Sequence, residues 1–292
     1  MRTLPLSVSG IIMGMACAYP EYHHKDNFLV IFILCILTTL FLQVLSNYAN
    51  DYGDAVKGTD NEDRVGPKRA VQSGSITAAE MKRAIAVTSF LALLCASGVI
   101  FSAFGTEHLI KAFGYFVLGL ACIYAAIKYT VGNSAYGYKG LGDAFVFIFF
   151  GWVSTLGSYF LYGLQMNWNM LLPASAIGFL SMAVLNMNNM RDIENDAVMG
   201  KNTLVVKMGF NKARMYHFSI IMLAIVGFNT FAMLKNFQWY EYFYCLAYIP
   251  LIKNLKKVNS VTEPRALDSE LKRISLSTFF IVVLMAIILI LK

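Results

Sequence analysis

The chain has 292 residues, 58% of them hydrophobic and only 14% charged, against about 25% charged in an ordinary soluble domain, so a water-soluble globular protein is excluded. The net charge of +7 would suit nucleic acid if it gathered on one soluble face. Here the basic residues are sorted among the connections between apolar runs, which is a membrane-topology signal with an attraction to anionic lipid; the lipid bilayer is an expected partner and no nucleic acid is.

Apolar runs near the roughly 17–25 residues that cross a bilayer as a helix occur at 4–20, 27–50, 82–104, 109–130, 141–163, 169–190, 214–235, 239–255 and 271–291. The first and eighth are the weakest, being short and bordered or interrupted by polar residues. Backbone amides in lipid must bond internally, and these runs are too long and unbroken for barrel strands, so they predict helices. The expectation is an all-α polytopic membrane protein of about nine transmembrane helices. It forms a single domain over 1–292, with pseudo-repeat halves at about 4–130 and 141–255 and a last helix at 271–291.

The connections carry the chemistry. After the second run comes Asn50-Asp51-Tyr52-Gly53-Asp54, then Asp60, in a polar stretch at 51–81 that also holds Arg64, Lys68 and Arg69. Thr77 with Glu80 three residues on predicts a capping box opening the third helix. Tyr124 and Lys128 lie one turn apart at the end of the fourth run. After the sixth run comes Asn188-Asn189-Met190-Arg191-Asp192-Ile193-Glu194-Asn195-Asp196, with Lys201 beyond it. Another polar stretch, 256–270, follows the eighth. The five cysteines all lie in apolar runs without metal-type spacing and are expected to pack as small hydrophobes. Gly14-Met15-Ala16-Cys17 lacks the aliphatic residue of a lipoprotein cleavage site, so no cleavable signal is expected, nor a soluble extra domain.

With nine spans, 20 of the 24 Lys and Arg fall on the face that holds the N-terminus and the connections after the second, fourth, sixth and eighth helices. The positive-inside rule makes that face cytoplasmic. Both acidic clusters lie on it. His23 and His24 lie on the opposite face and are poor catalytic candidates.

A single Asp pair at a helix end is usually a solvated terminus. Two pairs on one side of a membrane, each beside Asn and Arg, point instead to a shared site. Asp51 and Asp54 are i, i+3, and Asp192 and Asp196 are i, i+4; on a helix either spacing puts both carboxylates on one face. Such pairs suit Mg2+, which binds through one or two carboxylates plus substrate phosphates, and the absence of nearby His or Cys argues against zinc. Arg64, Lys68, Arg69, Lys128, Arg191 and Lys201 are candidates to grip phosphate. An ion-coupled transporter is the alternative from another class, but it would place ionisable groups near the helix centres, which hold essentially none.

The strings Asn-Asp-Tyr-Gly-Asp-Ala-Val-Lys-Gly-Thr-Asp (50–60), Tyr124-x-x-x-Lys128, Gly-Leu-Gly-Asp-Ala-Phe-Val-Phe (140–147) and Asn-Asn-Met-Arg-Asp-Ile-Glu-Asn-Asp (188–196) resemble, in combination, the motifs of the UbiA superfamily of intramembrane prenyltransferases, and most of all its naphthoate-accepting branch. The resemblance implies nine helices around a central cavity in a bacterial cytoplasmic (inner) membrane, with the active site facing the cytoplasm. It implies transfer of a polyprenyl group from polyprenyl diphosphate to 1,4-dihydroxy-2-naphthoate, with loss of CO2 and diphosphate, giving demethylmenaquinone. Other acceptors of the superfamily (4-hydroxybenzoate, haem, chlorophyllide, a glycerol lipid) are the alternatives. Mg2+ is the implied cofactor, on Asp51, Asp54, Asp192 and Asp196. Lys128 joins these four as catalytic, and Asn50, Arg64, Lys68, Arg69, Tyr124, Asn188, Arg191 and Lys201 bind substrate. Gly58 and Gly200 stand where the wider superfamily often has further aspartates, which leaves open whether Asp60 reaches the metal.

Overall fold

The computed structural model describes residues 4–59 and 69–292. Among them every regular element is helical: α1 (Leu4–Tyr22), α2 (Phe28–Lys57), α3 (Ala78–Phe104), α4 (Leu109–Lys128), α5 (Gly142–Gly163), α6 (Leu171–Arg191), short α7 (Ile193–Val198) and α8 (Leu204–Met208), α9 (Phe210–Leu234), α10 (Ile249–Ser260) and α11 (Asp268–Leu291), with a few 3-10 turns between. A helix therefore stands at each of the nine expected places. Seven of these helical segments are long and apolar enough to cross a membrane. The two that fall short are the first and the eighth, the two weakest runs in the sequence.

The eighth differs for a local reason. It is a 3-10 segment at Trp239–Tyr248 followed by α10. Pro250 has no N–H to donate into the preceding turn and its ring crowds the carbonyl four residues back, so the α-helix starts beside it rather than running through it. Elsewhere the ends follow the local chemistry. The Thr77–Glu80 capping box opens α3 as expected. Gly58, at φ +71°, takes the left-handed turn that ends α2.

Helix α6 is buried almost all round and packs on α9, α11 and α5, while α1 lies between α5 and α11, and α2 against α3. Some helices approach too closely for side chains. A Cβ on Gly14 of α1 would lie 2.8 Å from the Thr155 carbonyl oxygen of α5, and one on Gly151 of α5 would lie 2.7 Å from the Ala174 carbonyl oxygen of α6. Around Gly151, residues Phe147–Val153 of α5 are wound as a π-helix. This widened turn carries Phe149, Phe150 and Val153 to the wall of the central cavity. On the outside, α3 and α4 expose Phe90, Leu94, Phe101, Ile110 and Phe113, a surface suited to hydrocarbon rather than water.

Contacts between segments sort to two ends. At one end lie Ala70–Asp51, Tyr138–Asp54, Asn202–Tyr138, Lys207–Lys139 and Arg191–Asp268. At the other, Lys25 donates to the Tyr162 carbonyl, Asn27 to that of Ser102 and Lys292 to that of Asn236. The basic connections thus share one end of the bundle. Near that end a buried polar chain runs from Asn186 to His217, Asn254 and Glu270, and ends on Arg273 at the surface. It ties α6, α9, α10 and α11 together with no carboxylate left uncompensated.

The close approaches make the glycines testable. Gly151→Ala is expected to lower the apparent Tm of detergent-solubilised protein by several degrees, because overpacking a tight contact costs about 1–3 kcal/mol. Gly114→Ala, where a Cβ meets nothing within 4 Å, is expected to leave it unchanged or raise it slightly.

Candidate active site

Helix α2 carries the first acidic motif on its own last two turns. The i, i+3 spacing turns Asp51 and Asp54 to one side, and both line a central cavity of about 780 Å³. Each carboxylate is compensated from a distant part of the chain. Asp51 accepts from the backbone N–H groups of Ala70 (3.0 Å) and Val71 (3.3 Å). Asp54 accepts a hydrogen bond from the Tyr138 hydroxyl at 2.7 Å and forms an ion pair with Arg69 at 2.8 Å. Asn50 is placed beside them, accepting from Thr130 Oγ1 at 3.1 Å.

The second motif reaches the same end of the cavity with Asn188, Arg191 and Lys201. Here the i, i+4 backbone bond is made, Asp196 N–H to the Asp192 carbonyl at 2.8 Å, but Asp192 stands at the break between α6 and α7 and the two carboxylates turn apart. The Asp192 carboxylate turns onto Arg191 (2.8 Å from Nε and 2.5 Å from Nη2). Arg191 also donates to Asn188 at 2.9 Å and to Asp268, at the start of α11, at 2.7 Å. Asp196 turns the other way, to Lys201 at 3.5 Å. Its Oδ2 is buried and has no hydrogen-bond partner. The two carboxylates therefore do not meet at one point, and neither lies on the cavity wall. The two motifs do meet: the Asn195 side chain donates to the Thr59 carbonyl at 3.5 Å.

Burial pushes the Asp196 carboxyl up to about 6, with Lys201 opposing the rise. Burial works against the Lys201 charge too, but Asp196, Asp54, Tyr138 and Asp192 around it outweigh that and raise its pKa. Lys201 is therefore a firmly charged ammonium at the mouth of an apolar chamber.

Among the described residues no three His, Cys, Asp or Glu side chains converge on one metal position. The donors present are hard oxygens from Asp51, Asp54 and Asp196, one of them orphaned. They fit a hydrated Mg2+-type cation held by one or two carboxylates and completed by phosphate oxygens.

Tyr124 and Lys128 do not join the group. Tyr124 is 63% exposed and Lys128 is absent from the wall. The cavity face of α4 is Tyr115, Leu118, Gly119, Cys122, Ile123, Ala125 and Ala126, a helical stripe that continues to Tyr129, whereas positions 124 and 128 lie off it. Asp60, Arg64 and Lys68 lie outside the described residues.

The sequence reading missed Tyr129, Thr130, Tyr136 and Tyr138. The period of the α4 stripe could have found Tyr129; Tyr138 has no local signal. Tyr136 stacks on Phe145 with ring centroids 3.9 Å apart, and Phe145 on Phe149 at 6.0 Å. All three line the cavity, giving it an aromatic wall able to face a carbocation. The body beyond is mostly apolar, with Ile11, Val99, Leu118 and Leu161 among its lining and Gln43 and a few hydroxyls between them. The shape suits a ligand with an anionic head and a long apolar tail.

Comparison with known proteins follows the same lines. The UbiA prenyltransferase family model matches residues 7–284. The chain is 43% identical to the 1,4-dihydroxy-2-naphthoate octaprenyltransferase of Escherichia coli, over 93% of this chain and 87% of that protein. It is 41% identical to the Haemophilus influenzae protein of the same description, over 98% and 92%. Among solved structures, a UbiA homolog from Archaeoglobus fulgidus bound to DMAPP and Mg2+ superimposes with a TM-score of 0.58 at 14% identity, covering 98% of each chain. A digeranylgeranylglyceryl phosphate synthase gives 0.59 at 19%, covering 99% of this chain and 95% of the other. At these identities the two structures speak for the fold alone.

The raised Asp196 pKa sets a pH dependence. A carboxyl with its folded pKa above the unfolded value favours the native state most at low pH, and the cost of burying its charge appears as pH rises through about 6. Above about 6 it is ionised and able to hold a cation; below, a proton competes. Binding of Mg2+ with inorganic pyrophosphate to the purified protein is expected to weaken by up to about tenfold per unit below pH 6. Isothermal titration calorimetry at pH 5, 6, 7 and 8 checks it, and Asp196→Asn should reduce the pH dependence to the part that the protonation of pyrophosphate itself contributes.

Proposed function

The chain belongs to the UbiA prenyltransferase family, and on that premise we propose that it transfers a polyprenyl group from polyprenyl diphosphate to 1,4-dihydroxy-2-naphthoate, with Mg2+, at the cytoplasmic side of a bacterial inner membrane. The single observation that carries this is the cavity: carboxylates, Arg69, Arg191 and Lys201 gather at one end of an apolar, aromatic-walled chamber. The naphthoate acceptor is taken from the relatives above 40% identity. The side of the membrane follows from the basic connections that share the site's end.

The chemistry divides between the two parts of the cavity. The diphosphate head lies among Asp51, Asp54, Asn50 and Asn188, with Arg69, Arg191 and Lys201 around it. Mg2+, when bound, supplies positive charge to the phosphate oxygens and so eases departure of diphosphate. Arg69 and Lys201 stabilise the charge that develops on the leaving group, and they are already oriented by their carboxylate partners. The allylic C–O bond breaks with its electron pair going to diphosphate. The aromatic wall of Tyr136, Phe145 and Phe149 faces the cation and keeps water from it. The electron-rich naphthol ring forms the new C–C bond. The acceptor's carboxylate leaves as CO2, and the electrons of that bond return to the ring, so the immediate product is the quinol form of demethylmenaquinone.

Asp51→Asn and Asp54→Asn are each expected to cut prenyl transfer at least 100-fold in membranes while leaving the folded protein in place; the measurement is radiolabelled prenyl incorporation against Mg2+ concentration. Near-normal turnover with unchanged Mg2+ dependence would count against the assignment. In an acceptor panel, 1,4-dihydroxy-2-naphthoate is expected to be prenylated and 4-hydroxybenzoate not.

A further inference from the structure

Tyr138 lies in neither acidic motif and is not on the cavity wall, yet three of the connections at this end meet on it. Its hydroxyl donates to Asp54 Oδ1 at 2.7 Å and lies 2.9 Å from Thr59 Oγ1. Thr59 in turn donates to the Asp54 backbone carbonyl at 3.1 Å and accepts, on its own carbonyl, from Asn195 of the second motif. The Tyr138 carbonyl accepts from the Asn202 N–H at 3.1 Å, next to Lys201. Its ring is flanked by two ammonium groups, Lys57 Nζ at 3.8 Å and Lys201 Nζ at 5.6 Å from the centroid. One residue thus touches the first acidic motif through its hydroxyl and the segment just after the second through its ring and backbone.

We propose that Tyr138 is a positioning residue that holds Asp54 and Lys201 in register, so that one diphosphate head meets both. The inference rests on the functional reading above. Asp54 has two oxygens; Arg69 engages one and Tyr138 the other, so the Tyr138 hydroxyl selects the rotation of the carboxylate. A hydrogen bond to a charged acceptor is the stronger kind. The ring face attracts the Lys201 ammonium and so steers it toward the same head group. The 3-10 turn Tyr136–Lys139, closed by Gly140 at φ +79°, carries the ring, and Asn202 fastens it.

The test separates the hydroxyl from the ring. Tyr138→Phe removes the hydrogen bond to Asp54 and keeps the ring. It is expected to weaken Mg2+-dependent binding of inorganic pyrophosphate about tenfold by isothermal titration calorimetry, and to raise the KM for polyprenyl diphosphate by a similar factor. The kcat at saturation should stay within about threefold and the Tm within a few degrees. Thr59→Val, which removes the hydroxyl beside Tyr138, is expected to weaken binding in the same direction by about two- to threefold. Tyr138→Leu removes the ring as well and should weaken binding further than Tyr138→Phe. Wild-type pyrophosphate affinity and KM in folded Tyr138→Phe overturn the proposal. So does a loss confined to kcat, or to Tm with affinity unchanged. Asp54→Asn run alongside tells the two levels apart. If Asp54→Asn loses pyrophosphate binding and Tyr138→Phe does not, only the positioning role fails. If Asp54→Asn binds as the wild type does, the reading of the site fails and takes this inference with it.

Discussion

Carboxylates at the end of an apolar chamber must be compensated by groups from elsewhere in the chain, and the rest of the structure depends on that constraint. Moving an ionised group out of water costs several kcal/mol unless it is paired. Asp54 is paired with Arg69, Asp196 with Lys201, and Arg191 with Asp192 and Asp268. Arg191–Asp192 and Lys201–Asp196 are local, whereas Arg69–Asp54 and Arg191–Asp268 join separate segments, so satisfying those charges also fixes how the segments lie on one another. The last helix, α11, is drawn in by Asp268 although neither acidic motif includes it.

The compensation is incomplete at one carboxylate, and the cations that provide it face the cavity. Asp196 keeps one buried oxygen without a partner, and Arg69, Arg191 and Lys201 line the cavity while bound to carboxylates. Positive and negative groups are thus pre-oriented around a space they do not fill. Such an arrangement avoids reorganisation when charge moves onto a leaving group. The apolar body performs the opposite task. Its lining is mostly apolar, with Gln43, Asn47 and several hydroxyls among it, and the aromatic faces of Tyr136, Phe145 and Phe149 are the groups suited to a carbocation. The two halves stay apart because ionisable groups are tolerated at a membrane protein's ends far better than at its middle.

Packing supplies the rigidity. Gly14 and Gly151 let α1, α5 and α6 approach backbone to backbone, which is how helices associate where lipid offers no hydrophobic drive. The π-helical turn at Phe147–Val153 lies in the same contact zone, and it aims three residues of α5 inward. The buried chain from Asn186 to Arg273 pairs polar groups from four helices and leaves only the Asn186 side-chain oxygen in it without a partner.

Much of this was legible in the sequence. Apolar runs of spanning length dictate helices because unpaired backbone amides are untenable in lipid, and the skew of Lys and Arg sorts the connections to one end. The residue types of the two acidic motifs, read together, name the chemistry. Even the two weak runs were visible as weak. What only the tertiary structure decided is which side chains point at one another. The break at Asp192 sends Asp192 to Arg191 and Asp196 to Lys201, although their spacing would put them on one helical face. The stripe of α4 that faces the cavity passes through Tyr129 and leaves Tyr124 and Lys128 outside it. Tyr138, from the connection after α4, and Asp268, from the first turn of α11, bond to site residues, and their local sequence carries no sign of it. Helical spacing and apolar length are properties of a segment and its solvent, so sequence determines them; the partner of a buried charge is set by three-dimensional proximity, which exists only once the helices have packed.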